Sequence, residues 1–121
     1  MHLIASVPGG SLSDVLRDMK QFTAKSFLKA IETEPESRRD WLLREFGFAG
    51  RMNSRNKHFQ IWTHDNHPVE LSSNAMMEQR LEYLHQNPVR AGWVSKPEDW
   101  LYSSAGTYAG FDGLLEVVLV E

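Results

Sequence analysis

A tyrosine and an asparagine stand four residues apart in the segment RLEYLHQNPVRAG, residues 80–92. On a helix, Tyr83 and Asn87 share one face, and their side chains can approach the same target. Pro88 disfavours helical geometry at the residue before it, so we expect this face at the C-terminal end of the helix, near an opening. The pair is therefore either an ordinary packing contact or part of a functional site.

A second group of chemically active side chains lies around a predicted strand and the loop after it. Imidazole and carboxylate groups can together hold zinc, so a metal-dependent hydrolase is one hypothesis. No two of these residues have the i, i+4 spacing of a helical metal motif, and the chain has no cysteine. Histidines that are solvated or hydrogen-bonded in a loop are the simpler interpretation. The hydrolase hypothesis requires four side chains to converge: His58, His64, Asp65 and His67.

Length and charge set the broad class of protein. The chain has 121 residues and a net charge of −3, which predicts one domain with a modest core. No apolar stretch is long enough to span a membrane, so we expect a cytoplasmic protein without membrane partners. The segment from Ser37 to His58 contains six basic residues and two acidic ones, so its local net charge is +4. This segment predicts either a solvated surface or contact with a polyanion.

The elements that would position these residues alternate between strands and helices. Ser11 predicts a helix cap with Asp14 three residues on, and Ser73 or Asn74 predicts the cap of the helix that carries Tyr83. His85 lies off the Tyr83 face, and we expect it at the surface. The mixed pattern favours a two-layer α+β domain. The predicted helices cover 12–31, 37–46 and 74–87, and the predicted strands cover 1–7, 58–63 and 114–120.

Four segments carry a resemblance to a known family: HLI, LSDVLRDMKQFTAKS, FQIWTHDNHPVEL and EYLHQNPVRAGWVSKPEDWLYSSAGTYAG. From His2 to about Leu119 the chain resembles the REP-associated tyrosine transposases, bacterial relatives of single-tyrosine insertion-sequence transposases in the HUH nuclease superfamily. The Tyr-x-x-x-Asn-Pro-Val-Arg-Ala-Gly block and the later Tyr-Ser-Ser-Ala block are the most specific parts. The resemblance implies a ferredoxin-like antiparallel sheet with helices packed on it. It also implies a single domain, residues 1–121, that lacks the first strand at its N-terminus.

The resemblance further implies a catalytic role for the tyrosine. Tyr83 matches the residue that attacks a phosphodiester of single-stranded DNA, giving a 5′-phosphotyrosine link and a free 3′-hydroxyl. His2 and Asn87 match ligands of the family's metal, Mg²⁺ or Mn²⁺, whereas the first histidine of the metal motif has no counterpart. A phenol is a weak nucleophile at neutral pH and needs a cation or base nearby, which agrees with these roles. Because one ligand is absent, we expect impaired metal binding and impaired cleavage.

Other residues are expected to contact the DNA. The implied partner is hairpin-forming single-stranded DNA in the bacterial nucleoid, and the implied function is transposition by cleavage and rejoining. The alternative is a non-catalytic remnant that still binds hairpins. Trp62 would either stack an unpaired base or be buried in a strand, and the exposed sheet edge at 1–7 or 114–120 predicts a homodimer. The candidate DNA-binding residues are Lys20, Arg51, Arg55, Lys57, Arg80 and Arg90.

Overall fold

The computed structural model describes residues 1–55 and 58–120 of the chain. Within these ranges the regular structure is helical. Four α-helices and one 3₁₀ helix follow one another along the described residues: α1 Leu12–Thr33, α2 Arg39–Arg51, α3 Asn74–Arg90, the 3₁₀ helix Pro97–Asp99 and α4 Ala105–Tyr108. None of these helices is both long enough and apolar enough to cross a membrane.

The expected ferredoxin-like antiparallel sheet is wrong, because residues 1–55 and 58–120 contain no β-strand. The three segments with strand-like alternation, 1–7, 58–63 and 114–120, are irregular or bent and form no ladder. A strand is stable only when a neighbouring strand satisfies its backbone N–H and C=O groups. The backbone of 58–63 instead contacts a helix, where the Gln60 N–H donates to the Phe46 carbonyl at 3.0 Å. The homodimer was expected to form through an exposed strand at a sheet edge. No such strand is present in the described residues, and the homodimer stays a prediction.

The helix starts follow from local capping. The Ser11 side chain accepts from the Asp14 N–H at 3.2 Å, and the Ser73 side chain accepts from the Met76 N–H at 3.2 Å. Each hydroxyl satisfies one of the N–H groups that have no partner inside the first turn. The Ser11 cap is confirmed, and of the two alternatives Ser73 and Asn74 it is Ser73 that caps α3.

Helix α2 extends five residues beyond its predicted end because its two glycines lie inside the helix. A Cβ added to Gly50 would lie 2.5 Å from the His58 carbonyl oxygen, and one added to Gly47 would lie 3.5 Å from the Phe59 ring. The glycines therefore do not end the helix. They allow the segment after α2 to pack directly against the helix backbone.

The chain divides into two compact units, the first being the described part of Ala5–His67. In this unit α1 and α2 pack against each other. The Arg39 guanidinium ties the start of α2 to the end of α1, donating to the Ile31 and Glu34 carbonyls at 2.8 Å each. A cation at a helix C-terminus satisfies exposed carbonyls and opposes the helix dipole. Trp62 donates from Nε1 to the Thr23 hydroxyl at 2.8 Å and is half-buried, which favours the structural interpretation of this tryptophan.

The second unit combines Met1–Ile4 with the described residues from Pro68 onward. Helix α3 packs on the 3₁₀ helix, which in turn packs on α4. Ala105, the first residue of α4, is buried. The Tyr108 hydroxyl accepts from the Val120 N–H at 2.8 Å and so ties the C-terminal segment to α4.

Candidate functional site

Helix α3 does not end at Asn87 as predicted but continues through Pro88 to Arg90. Pro88 lies in the last turn, where it removes a single helical hydrogen bond. The end is fixed just beyond it, because Gly92 has a φ of +79° and donates to Val89 O at 3.0 Å, while Trp93 N donates to Pro88 O at 2.9 Å. These two bonds form a Schellman motif, which stabilises the last turn.

The longer helix adds a cation to the tyrosine face. Tyr83, Asn87 and Arg90 are related by steps of four and three residues and therefore share one face of α3. The Arg90 Cζ atom lies 4.9 Å from the centroid of the Tyr83 ring. The guanidinium therefore makes a cation–π contact with the ring of Tyr83.

His2 completes a cluster around the phenol. Its imidazole meets the Tyr83 ring edge-to-face, with the centroids 5.7 Å apart and the planes at 86°. The Tyr83 side chain is 42% exposed, so an incoming molecule can reach it. An imidazole and a guanidinium therefore contact the ring of one accessible tyrosine.

Asn87 contributes an unsatisfied amide. Its Nδ2 atom is buried and has no hydrogen-bond partner among the described residues. The nitrogen and oxygen of an amide are assigned from hydrogen bonding, so either atom can occupy the unsatisfied position. Leaving a buried polar atom unpaired costs about 1–3 kcal/mol. Such an atom is paired once a ligand supplies the missing partner.

His2 and Asn87 do not by themselves fit a resident Mg²⁺ or Mn²⁺ ion. Mg²⁺ prefers oxygen ligands in octahedral geometry, usually including carboxylates, and these two residues supply one imidazole and one amide. Within the described residues, no group of three histidine, aspartate or glutamate side chains could hold a metal. The described part of the chain therefore offers two of the expected ligands without a third.

The candidate DNA-binding residues are divided between the two units. Arg80 and Arg90 belong to α3 with Tyr83, and Arg80 is exposed. Arg51 and Arg55 are exposed in the other unit, at and beyond the end of α2. Lys57 lies outside the described residues.

Lys20 is engaged within its own unit. Its ammonium donates to the Thr63 carbonyl at 2.8 Å and also to the Asn66 side chain. These bonds hold the 63–66 loop against α1. The lysine thus has a structural role in addition to its expected role in DNA binding.

The hydrolase hypothesis does not meet its geometric requirement. His67 Nε2 lies 3.5 Å from the Asp65 carboxylate, whose other oxygen accepts from the His67 N–H at 3.1 Å. His58 and His64 join no metal-holding group with them among the described residues. The Asp65–His67 pair is exposed, and its contacts are local to this segment.

Sequence reasoning missed the role of His85, which was expected at the surface. His85 is only 8% exposed, its Nε2 lies 2.9 Å from the Ser104 hydroxyl, and its ring packs on Tyr108 with centroids 5.2 Å apart. Burial lowers the pKa of His85, and the nearby Glu82 carboxylate partly opposes this effect. The signal was the spacing of Leu81, His85 and Pro88, which places the histidine on a partly buried face of α3.

Comparison with protein-family models, with curated proteins and with solved structures finds no match to this chain. The residues of the site itself are therefore the evidence for its chemistry. A half-exposed phenol, an imidazole, a guanidinium and an unsatisfied amide lie together in one unit: Tyr83, His2, Arg90 and Asn87.

Proposed function

We propose that this protein acts on hairpin-forming single-stranded DNA and that Tyr83 attacks a backbone phosphodiester. The observation that carries the proposal is the contact of the half-exposed Tyr83 ring with both the His2 imidazole and the Arg90 guanidinium. A tyrosine used only for packing does not need contacts with an imidazole and a guanidinium. A phenol that acts as a nucleophile must lose its proton to a base and must approach an anionic phosphate, and an imidazole and a guanidinium assist these two steps.

The first step is a transesterification at phosphorus. The Tyr83 oxygen forms a bond to phosphorus, the bond to the 3′-oxygen breaks, and the DNA 5′-phosphate stays on the tyrosine. The phenolic proton passes to a base, and the His2 imidazole, which contacts the Tyr83 ring, serves as that base. The departing 3′-oxygen takes a proton from water and becomes a free hydroxyl.

Arg90 and Asn87 act on the phosphate. The guanidinium favours the approach of an anion to Tyr83 and stabilises the negative charge that develops on the phenol oxygen. The Asn87 amide donates to a phosphate oxygen and gains the hydrogen bond it lacks in the free protein. Rejoining is the reverse step, in which a 3′-hydroxyl attacks the phosphotyrosine, so no nucleotide cofactor is needed.

The decisive experiment follows a label from DNA to protein. A hairpin oligonucleotide labelled at its 3′ end should become covalently linked to the protein on a denaturing gel, whereas the same hairpin labelled at its 5′ end should release a free fragment. Tyr83→Phe should abolish label transfer, and Tyr108→Phe serves as the matched control that retains it. The assay is run with Mg²⁺, with Mn²⁺ and with chelator, because the expected metal ligands are incomplete.

A second candidate function is hairpin binding without cleavage. It is favoured by the incomplete set of expected metal ligands, because His2 and Asn87 have no third ligand in the described part of the chain. In that case the hairpin binds with equal affinity to the unchanged protein and to Tyr83→Phe, and neither label reaches the protein under any metal condition.

A further inference from the structure

Three aromatic rings form a continuous array beyond the end of α3. The Trp93 and Trp100 rings are 6.3 Å apart between centroids and tilted by 39°, and Tyr102 meets Trp100 at 5.9 Å and 71°. Trp93 is 71% exposed and Tyr102 is 77% exposed, while Trp100 between them is half-buried. The array is therefore a surface feature and not part of a core.

The backbone holds this array in place. Trp93 N donates to Pro88 O at 2.9 Å in the Schellman motif that ends α3, and Trp100 N donates to Pro97 O at 3.2 Å at the end of the 3₁₀ helix. The 3₁₀ helix itself packs on α3. A backbone that is already fixed loses little conformational entropy when its side chains bind a ligand.

The charges around the array favour a ligand with flat apolar faces and few phosphate contacts. Arg90 and Lys96 are balanced by Glu98 and Asp99, so the segment has no net positive charge. A duplex backbone, whose recognition depends on many cations, gains little here. Unpaired nucleobases bind mainly by stacking on aromatic rings, and each base can stack whatever its identity.

We propose that Trp93, Trp100 and Tyr102 form a stacking platform for the unpaired bases of a DNA strand next to the hairpin. The platform begins three residues after Arg90, whose guanidinium contacts Tyr83, so both belong to the same end of α3. The identity of the ligand as DNA rests on the proposed function. The platform deepens that function by separating base binding from the reacting phosphate.

The test compares two labelled hairpins, one blunt and one with a single-stranded overhang of unpaired thymidines, by fluorescence anisotropy with the full chain. Trp93→Ala should weaken binding of the overhang hairpin about tenfold and leave the blunt hairpin unchanged. Trp93→Phe should retain most of the affinity, because a phenyl ring still stacks. Trp41→Ala is the control, since Trp41 is an exposed tryptophan (48%) that lies in the other unit.

Two results would overturn the platform: equal losses for both hairpins, or no loss for either with Trp93→Ala and Tyr102→Ala. Failure of the proposed function is recognised separately. If the overhang effect is present but no phosphotyrosine forms, the platform stands and the cleavage proposal fails. If phosphotyrosine forms and the overhang effect is absent, the cleavage proposal stands and the platform fails. A chain that binds neither hairpin contradicts the platform as well.

Discussion

The Nε2 atom of His85 lies 2.9 Å from the hydroxyl of Ser104, and this contact joins α3 to the residue that precedes α4. Because the imidazole is buried, folding favours its neutral form and lowers its pKa. A neutral imidazole can either donate to the hydroxyl or accept from it, whereas a protonated imidazole can only donate, so the direction of this hydrogen bond depends on the protonation state of the histidine. The same helix carries Tyr83 two residues earlier.

This contact predicts an acid-sensitive stability. The pKa of His85 is lowered in the folded protein, so the unfolded chain binds the proton more readily. The contribution of neutral His85 should be fully present above the ordinary histidine value of 6.5 and should decrease as the pH falls below it. Urea unfolding at about pH 8 and about pH 5.5 measures the difference, and His85→Gln should reduce that pH dependence. The same pH dependence in His85→Gln would contradict this account.

The cation beside Tyr83 predicts a difference between arginine and lysine. Arg90→Ala should weaken hairpin binding and reduce the salt dependence of the binding constant by about one unit of slope for each phosphate that the protein no longer neutralises. Arg90→Lys should retain the slope but slow phosphotyrosine formation, because an ammonium lacks the planar contact with the ring. Binding isotherms across a salt series check the slope, and an unchanged slope in Arg90→Ala would place this residue outside the DNA interface.

The basic segment after α2 predicts a second set of phosphate contacts. Alanine substitution of Arg51, Arg55 and Lys57 should weaken hairpin binding and flatten its salt dependence by about one unit for each cation that binds a phosphate. Lys20→Ala is an informative comparison, because Lys20 holds Thr63 and Asn66. We expect Lys20→Ala to lower the thermal midpoint as well as the affinity. A salt slope that responds to none of the four changes would move the DNA surface elsewhere.

The two glycines of α2 predict opposite effects of the same substitution. Gly50→Ala should destabilise the protein by roughly 1–3 kcal/mol, because its Cβ would lie 2.5 Å from the His58 carbonyl oxygen. Gly47→Ala meets only ordinary contacts at 3.5 Å and should be neutral or stabilise by about 0.5–1 kcal/mol through its higher helix propensity. Thermal unfolding of the two variants tests the close packing. Equal effects at both positions would contradict it.

The sequence predicted the helices where the signal is local. Ser11 and Ser73 cap their helices with their own hydroxyls, so a few neighbouring residues contain all the information needed. The end of α2 could not be predicted in this way, because Gly47 and Gly50 are explained by a segment that follows the helix. Sequence alone does not distinguish a glycine that ends a helix from one that permits close packing.

The predicted sheet failed for a related reason. Alternation in 1–7, 58–63 and 114–120 indicates a segment suited to a strand, but pairing depends on a partner elsewhere in the chain. The placement of Tyr83 and Asn87 on one face of a helix was predicted, because helical spacing alone determines it. The contact of Arg90 with Tyr83 was not predicted. The helix was expected to end before Pro88, which would have left Arg90 outside it.

Pro88 has a further consequence for motion within α3. Proline has no N–H, so the Leu84 carbonyl receives no helical hydrogen bond from it, and the last turn is tied to the preceding turns by one bond fewer. Tyr83 belongs to the continuous part of the ladder, whereas Arg90 belongs to the turn beyond the gap. Amide hydrogen exchange should therefore be slower around Tyr83 than around Arg90. The phenol therefore stands on the part of the helix with the complete hydrogen-bond ladder, and the guanidinium that contacts it stands on the turn with one bond fewer.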